Sequence, residues 1–206
     1  MYVTLTYNTI CLYVNMARNT REGTEATRLA LMAAGRQLFV ENGFAETATP
    51  DIVALAGVTR GALYHHFADK KALLRAIVEA EAAAVAAAID SASGQTATPR
   101  DALVEGAAAY FAAMAVPGRV RLLLLEAPAV LGVAGAEQID RDHAEDRLKT
   151  GVRDHLGAGA PEAEAKAMTA LLSSAFDRAA LEIERGGEAM LYERSIARLI
   201  DALGRS

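Results

Sequence analysis

The sequence has few cysteines, few aromatic residues and no uncharged stretch long enough to cross a membrane. Its 206 residues include one cysteine, Cys11, and no tryptophan, and only 5% of them are aromatic. A single cysteine excludes an intramolecular disulfide framework and any zinc or redox site that needs paired cysteines, which suits a reducing cytoplasm. The longest stretch without charge, residues 1–17, is shorter than the roughly 20 apolar residues that cross a bilayer, so we expect no membrane partner.

The rest of the composition is typical of a folded helical protein. Hydrophobic residues make up 52% and charged residues 23% of the chain, which excludes a disordered or polybasic polymer. Alanine, leucine and glutamate predominate, and because these residues favour helices we predict an all-α fold. The net charge of -5 is unevenly distributed. Residues 17–75 carry +2 and residues 76–206 carry -7, so the first part is the better match for a polyanion.

The first fifteen residues do not match the rest of the chain. Residues 1–15 are rich in Tyr, Val, Thr, Leu and Ile, which favours an extended conformation, yet no partner strand follows them. The stretch lacks the basic start and the cleavage site of a signal peptide, although a targeting role stays an alternative. We expect a non-native or disordered extension over residues 1–15, with translation starting at Met16.

Apolar spacing and helix-breaking residues divide the remainder into about nine helices. Four are expected before the polar segment 91–99 and five after it. The predicted helices are Thr24–Asn42, one opening at Thr49, one opening at Arg60, one from Asp69 to about Asp90, Asp101–Ala115, Gly118–Gly132, Ala136–Leu156, Pro161–Arg185 and Glu188–Leu203.

Two short predicted helices meet across a tight turn. Thr49 is expected to cap the first, because a proline and an aspartate follow it in the positions that favour a helix start. Gly57 then breaks that helix, and Thr59 caps a new one that starts at Arg60. A supporting helix, a glycine-containing turn and a second helix are the parts of a helix-turn-helix.

The second of these helices is amphipathic. Leu63 and Phe67 lie one turn apart and are expected to face inward. The outward positions are then Arg60, Gly61, Tyr64 and His65. Asp69 is expected to cap the next helix, and His66 to pack or hydrogen-bond internally rather than to join His65 in a metal site.

Residues 39–73, FVENGFAETATPDIVALAGVTRGALYHHFADKKAL, closely resemble the DNA-binding domain of the tetracycline-repressor (TetR) family of bacterial transcription regulators. The match covers about residues 24–80. The resemblance implies a three-helix DNA-binding domain over residues 16–72 and a helical ligand-binding and dimerisation domain over residues 73–206. It also implies a cytoplasmic homodimer that represses transcription from a palindromic operator until a small-molecule inducer releases it.

The residues themselves and the resemblance assign DNA contacts to the same positions. Arg60 is the best candidate for reading a base, because a guanidinium donates two hydrogen bonds to guanine. Seven further residues are candidates for a close backbone approach to DNA, a methyl contact with a base or a phosphate contact. They are Thr49, Thr59, Gly61, Ala62, Tyr64, His65 and Lys70. The alternative for Arg60 and Tyr64 is an ordinary solvated helix face.

The resemblance also implies a ligand pocket and a dimer interface among the later helices. Bulky apolar candidates for the pocket are Tyr110, Phe111, Met114, Leu122, Leu125, Met168 and Phe176, with ordinary core packing as the alternative. Candidates for an interface built by the last two helices are Leu171, Leu172, Ala175, Ala179, Ile196, Leu199 and Ile200, with the protomer core as the alternative. Scarce aromatic residues favour a small apolar or amphipathic inducer over a flat cation.

No catalytic motif accompanies these features. The serines and histidines lack a nucleophile elbow, and no glycine-rich phosphate loop follows a strand, so we predict neither enzymatic activity nor a cofactor or metal ion. The alternative to a DNA-binding regulator is a helical ligand-binding or structural dimer that has lost specific DNA binding, which the overall acidity would suit.

Overall fold

The structure, a computed structural model, describes the backbone of residues 4–92, 97–142 and 146–204, and the side chains of residues 23–92, 97–142 and 147–204. Across those residues the chain forms ten α-helices and a π-helical segment, with no β-strand. The all-α prediction is confirmed. The chain divides into two compact units, Met1–Ile77 and Val78–Ser206.

The first unit contains α1 (Thr4–Asn42), α2 (Thr49–Leu55), α3 (Arg60–His66) and the start of α4 (Lys70–Ala92). Its core is formed by large apolar side chains from all four helices, which are fully buried: Leu31, Phe39, Ile52, Leu63 and Leu73. Gly35 lets α1 approach α4 closely, because a Cβ atom there would lie 3.0 Å from Leu73 Cδ2. This packing fixes α2 and α3 against a common base.

The extended conformation predicted for residues 1–15 is wrong for the part that the structure describes. Residues 4–15 continue α1, which begins at Thr4. An isolated extended segment leaves its backbone groups without partners, whereas adding residues to an existing helix satisfies one hydrogen bond per residue. Residues 1–3 lie outside the described residues.

The second unit contains the rest of α4 and six further helices around one apolar core. The helices are α5 (Pro99–Met114), α6 (Ala127–Leu131), α7 (Val133–Asp140), α8 (Asp146–Leu156), α9 (Glu162–Glu184) and α10 (Ala189–Leu203). Buried side chains from α5, α8, α9 and α10 meet in this core, among them Leu103, Val152, Leu172 and Ile200.

Two of the predicted helices are wrong because each is interrupted. The predicted helix Gly118–Gly132 contains a π-helical segment, Arg121–Glu126, before α6. Pro128 has no N–H and cannot make an ordinary helical hydrogen bond. In the wider turn just before it, the Ala127 N–H donates to the Leu122 carbonyl, five residues back. The predicted helix Ala136–Leu156 is two helices, since α7 ends at Asp140 and α8 begins at Asp146.

A buried ion pair ties α4 to the residues that precede the π-helical segment. Arg119 Nε lies 2.5 Å from Glu81 Oε2, and Arg119 also donates to the Ala113 carbonyl at 2.7 Å. Both charged side chains are about nine-tenths buried. The guanidinium thus joins α4 to the C-terminal end of α5 within the second unit.

No helix among the described residues is long and apolar enough to cross a membrane.

Candidate nucleic-acid interface

The turn between α2 and α3 is built by backbone hydrogen bonds around one glycine. Gly57 adopts a φ of 66°, and its N–H donates to the Ala54 carbonyl at 3.2 Å. The Val58 N–H donates to the Val53 carbonyl at 3.0 Å. This pair of bonds is a Schellman motif, which needs a residue that tolerates left-handed dihedrals. The chain therefore leaves α2 in one defined direction.

Thr59 caps α3, as predicted from the sequence. Its Oγ1 atom accepts the Ala62 N–H at 3.2 Å, and its backbone is extended. The cap predicted at Thr49 is wrong, because Thr49 is the first residue of α2 and Ala48 occupies the cap position without a side-chain bond. The Ala48 carbonyl accepts the Asp51 N–H at 3.1 Å, which starts the helix from the backbone alone.

One face of α3 is anchored in the core and the other is open to solvent. Leu63 is fully buried and Phe67 is 5% exposed, so the inward positions predicted from the sequence are confirmed. The positions predicted to face outward are exposed as well: Arg60, Gly61, Tyr64 and His65. Ala62 and His66 are half-buried at the edge of this face.

Arg60 rests on an aromatic ring one turn along the same helix. Its guanidinium carbon lies 5.5 Å from the centroid of the Tyr64 ring. Such a cation–π contact is worth about 0.5–1 kcal/mol at an exposed site. The side chain best suited to read a base is therefore supported by a second residue of the same exposed face.

The structure gives Lys70 contacts that the sequence did not indicate. Its Nζ atom donates to the Phe44 carbonyl and to the Thr47 carbonyl, each at 2.7 Å, and lies 4.3 Å from the centroid of the Phe44 ring. Two of its three donors are thus directed at the loop between α1 and α2. Thr49, which is also predicted to contact DNA, is half-buried.

Two family models together match most of the chain. Residues 31–77 match the model described as bacterial regulatory proteins, tetR family, and residues 100–205 match that of the tetracyclin repressor-like C-terminal domain. The chain belongs to the tetR family. The resemblance that residues 39–73 carry is therefore confirmed, and the family is one of DNA-binding transcriptional regulators rather than of enzymes.

The curated relatives match a short part of the chain. The HTH-type transcriptional regulator TtgR of Pseudomonas putida is 42% identical over 64 residues, 31% of this chain and 30% of TtgR. The repressor BepR of Brucella suis is 39% identical over 61 residues, 30% of this chain and 29% of BepR. The match thus spans about a third of these curated relatives.

Solved structures match over far more of the TetR-family chain. A TetR-family transcriptional regulator from Pectobacterium atrosepticum is 29% identical with a TM-score of 0.65, covering 90% of this chain and 95% of that one. FadR from Bacillus subtilis, solved in complex with stearoyl-CoA, has a TM-score of 0.71 over 84% of this chain and 96% of that one. Its identity is 14%, so that likeness shows the fold alone.

The residues predicted to line a ligand pocket of this TetR-family protein occupy three environments. Phe111, Met114 and Phe176 belong to the apolar core of the second unit, with Tyr110 and Met168 packed against it. Leu122 is fully buried. Leu125 is 49% exposed and borders a cleft of about 460 Å³ beside the π-helical segment. The structure therefore does not bring the seven side chains together around one cavity.

Tyr110 and Asp177 form a polar pair beside the Phe176 ring. The Tyr110 hydroxyl donates to Asp177 Oδ1 at 2.8 Å, and the Tyr110 and Phe176 rings are 5.8 Å apart. Burial raises the pKa of the Asp177 carboxyl, and the Tyr110 hydrogen bond partly offsets that rise. Burial also raises the pKa of Tyr110, with a further contribution from the Asp177 charge. Burial thus disfavours the charged form of Asp177, and the Tyr110 hydroxyl is a donor that favours it.

The residues predicted for the dimer interface also separate into two sets. Four of them pack inside the protomer core and are less than 5% exposed: Leu172, Ala179, Ile196 and Ile200. They are not available to a second chain, and Ala175 is half-buried against the same core. Leu171 is 65% exposed and Leu199 is 49% exposed. These two residues are left as candidates on the surface of α9 and α10.

Proposed function

We propose that this TetR-family protein is a sequence-specific regulator that represses transcription from a palindromic operator as a homodimer and is released by a small-molecule inducer. The observation that carries the proposal is the exposed face of α3, where Arg60 lies over Tyr64 on a helix capped by Thr59. As a regulator of genes it acts in the cytoplasm, where a bacterial chromosome lies.

The chemistry of this face suits the major groove. Arg60 donates two hydrogen bonds to guanine N7 and O6, which discriminates against another base by about 1–3 kcal/mol. Gly61 adds no side chain, so the helix backbone approaches the base edges closely, and the Ala62 methyl meets a thymine methyl. The hydroxyl groups of Thr49, Thr59 and Tyr64, and His65, donate to phosphates or base edges and set the register.

A homodimer provides the second recognition helix. The proposal places the interface on α9 and α10, where four large apolar side chains are exposed: Leu171, Met190, Leu191 and Leu199. A two-fold dimer presents two α3 helices to successive major grooves, about 34 Å apart on one side of the duplex. The operator is then a palindrome whose half-sites are separated by one helical turn.

The inducer is proposed to bind in the second unit. A small cavity of about 20 Å³ lies beside Phe111 and Met114, which is room for one water molecule. A small apolar or amphipathic inducer therefore either opens the core of this unit or enters through the cleft beside Leu125. Release from DNA requires the inducer to bind the conformation that does not fit the operator more tightly than the one that does.

Selection of bound duplexes from a random DNA pool at moderate salt tests this proposal. We expect enrichment of a palindrome, followed by a steep loss of affinity as salt rises, because cationic contacts displace counterions from phosphates. Failure to enrich any sequence would favour a helical dimer without specific DNA binding. The full chain is used in both steps.

A further inference from the structure

We propose that Lys70 is a positioning residue, which locks the loop before α2 so that the helix-turn-helix is held in its DNA-binding geometry, rather than a phosphate contact. This inference rests on the proposed DNA-binding function. It replaces the phosphate role that the sequence alone suggested for Lys70.

The Lys70 ammonium is directed into its own unit. Two carbonyl oxygens, those of Phe44 and Thr47, each lie 2.7 Å from Nζ, and the face of the Phe44 ring lies 4.3 Å away. Hydrogen bonds to a charged donor are roughly twice as strong as neutral ones, and the ring face adds electrostatic attraction. A DNA phosphate would have to compete with all three contacts.

The loop that Lys70 holds is otherwise fixed by a buried threonine. Thr47 is 2% exposed, and its Oγ1 atom lies 2.7 Å from the Gly43 carbonyl oxygen and 3.1 Å from that of Leu38. The hydroxyl thus ties the loop back to the end of α1. The Lys70 ammonium ties the same loop forward to the start of α4, so that residues 43–47 are held from both sides.

The position of α2 depends on this loop because α2 has no side-chain cap. Ala48 directly follows Thr47 and starts α2 through its backbone carbonyl alone. Ile52 of α2 and Leu63 of α3 are both fully buried in the same core. A displaced loop therefore shifts the start of α2, and with it the support beneath α3.

Lys71 offers a matched control on the next residue. It carries the same charge, and it is exposed whereas Lys70 is half-buried. Lys70→Met and Lys71→Met each remove one positive charge and keep most of the aliphatic stem. A difference between the two variants therefore reports the loop contacts of Lys70 and not the net charge.

The first experiment measures affinity for the selected duplex and for a scrambled duplex across a series of salt concentrations. We expect Lys70→Met to weaken binding to the selected duplex about tenfold, with the slope of log K against log salt unchanged. Each lost phosphate contact would instead reduce that slope by about 0.9. A reduced slope with an equal loss on both duplexes would overturn the inference, as would unchanged affinity with only a lower melting temperature.

The second experiment is amide hydrogen exchange, measured at a temperature where each variant is fully folded. Lys70→Met is expected to speed the exchange of amides between Gly43 and Ile52, and Lys71→Met to leave them at the wild-type rate. Equal protection in both variants would contradict the proposed lock. This readout does not need DNA, so it separates a failure of the lock from a failure of the proposed function.

The third experiment uses the wild-type protein and thus does not depend on a folded variant. Acetylation of lysine amines with a small reagent is followed by mass spectrometry with and without the selected duplex. We expect Lys70 to react several-fold more slowly than Lys71 in the free protein, and DNA to change its rate little. Rapid acetylation of free Lys70 that DNA then blocks would overturn the proposal in favour of a direct phosphate contact.

Discussion

At the scale of single residues, Tyr64 contributes both a ring and a hydroxyl to the exposed face of α3. The ring supports the Arg60 guanidinium at 5.5 Å, and the side chain is 45% exposed, so its hydroxyl is accessible to DNA. Tyr64→Phe keeps the ring and removes the hydroxyl, and Tyr64→Leu removes both. We expect Tyr64→Leu to reduce the preference for the selected duplex over the scrambled one by about 0.5–1 kcal/mol more than Tyr64→Phe. Equal effects in binding titrations would show that the ring does not position Arg60.

The Tyr110–Asp177 pair leads to a prediction about pH. Because burial raises the pKa of Asp177 on folding, the folded protein holds this proton more tightly than the unfolded chain does. Its contribution to stability is therefore fully present below the ordinary pKa of 3.8 and is lost as the pH rises through the folded value. The Tyr110 hydrogen bond stabilises the charged form and limits that loss.

Tyr110→Phe is accordingly expected to destabilise the protein more at pH 7 than at pH 4. Where Asp177 is ionised, the variant leaves a buried carboxylate without its donor, at a cost of about 1–3 kcal/mol, and the cost falls as a lower pH protonates the carboxyl. Urea unfolding at both pH values measures the difference. Tyr192→Phe is the control, since the Tyr192 ring is also half-buried. A loss of stability that is equal at the two pH values would contradict the assigned ionisation.

At the scale of elements, the two threonines at the starts of α2 and α3 provide a matched pair. Thr59 caps α3 with its hydroxyl, whereas Thr49 makes no cap bond. We expect Thr59→Ala to lower the free energy of unfolding by about 1 kcal/mol and Thr59→Ser to restore most of it. Thr49→Ala should change stability by less than about 0.5 kcal/mol. The same loss in Thr59→Ala and Thr49→Ala, measured by urea unfolding, would reverse the cap assignment.

The sequence predicts best the elements that depend on residues close together in the chain. The turn at Gly57 and the cap at Thr59 depend on residues at most five positions apart, and the structure confirms both. The Lys70 contacts join residues 23 and 26 positions apart, so no local pattern indicates them. The strand propensity of residues 4–15 also predicts the wrong conformation. These residues are helical because a continued helix satisfies backbone groups that an unpaired strand would leave without hydrogen-bond partners.

The candidate site could be predicted only to the level of exposed and buried faces. Helical spacing correctly separates Leu63 and Phe67 from Arg60 and Tyr64, because the period of a helix fixes which side chains share a face. The same spacing did not distinguish an interface from a core for α9 and α10. Ile196 and Ile200 are apolar at helical spacing, yet they pack within the protomer, because burial depends on the neighbouring helices.

At the scale of the whole molecule, dimer formation is proposed to depend on exposed leucines of α9 and α10. The double variant Leu171→Glu/Leu199→Glu is expected to sediment as a 21.7 kDa species at micromolar concentration, while the wild type sediments at twice that mass. Introduced carboxylates would be desolvated in an apolar interface and separate the chains. Val133→Glu is the control, because Val133 is also 65% exposed but lies on α7. Dimers in the double variant would place the interface elsewhere.

The central claim is that the exposed face of α3 reads DNA sequence through Arg60. It is tested most directly by titrating wild type and Arg60→Ala against the selected duplex and a scrambled duplex of equal length at one salt concentration. We predict that Arg60→Ala loses about 1–3 kcal/mol of preference for each half-site while it still binds both duplexes through phosphate contacts. An unchanged ratio of the two affinities in Arg60→Ala would contradict the account.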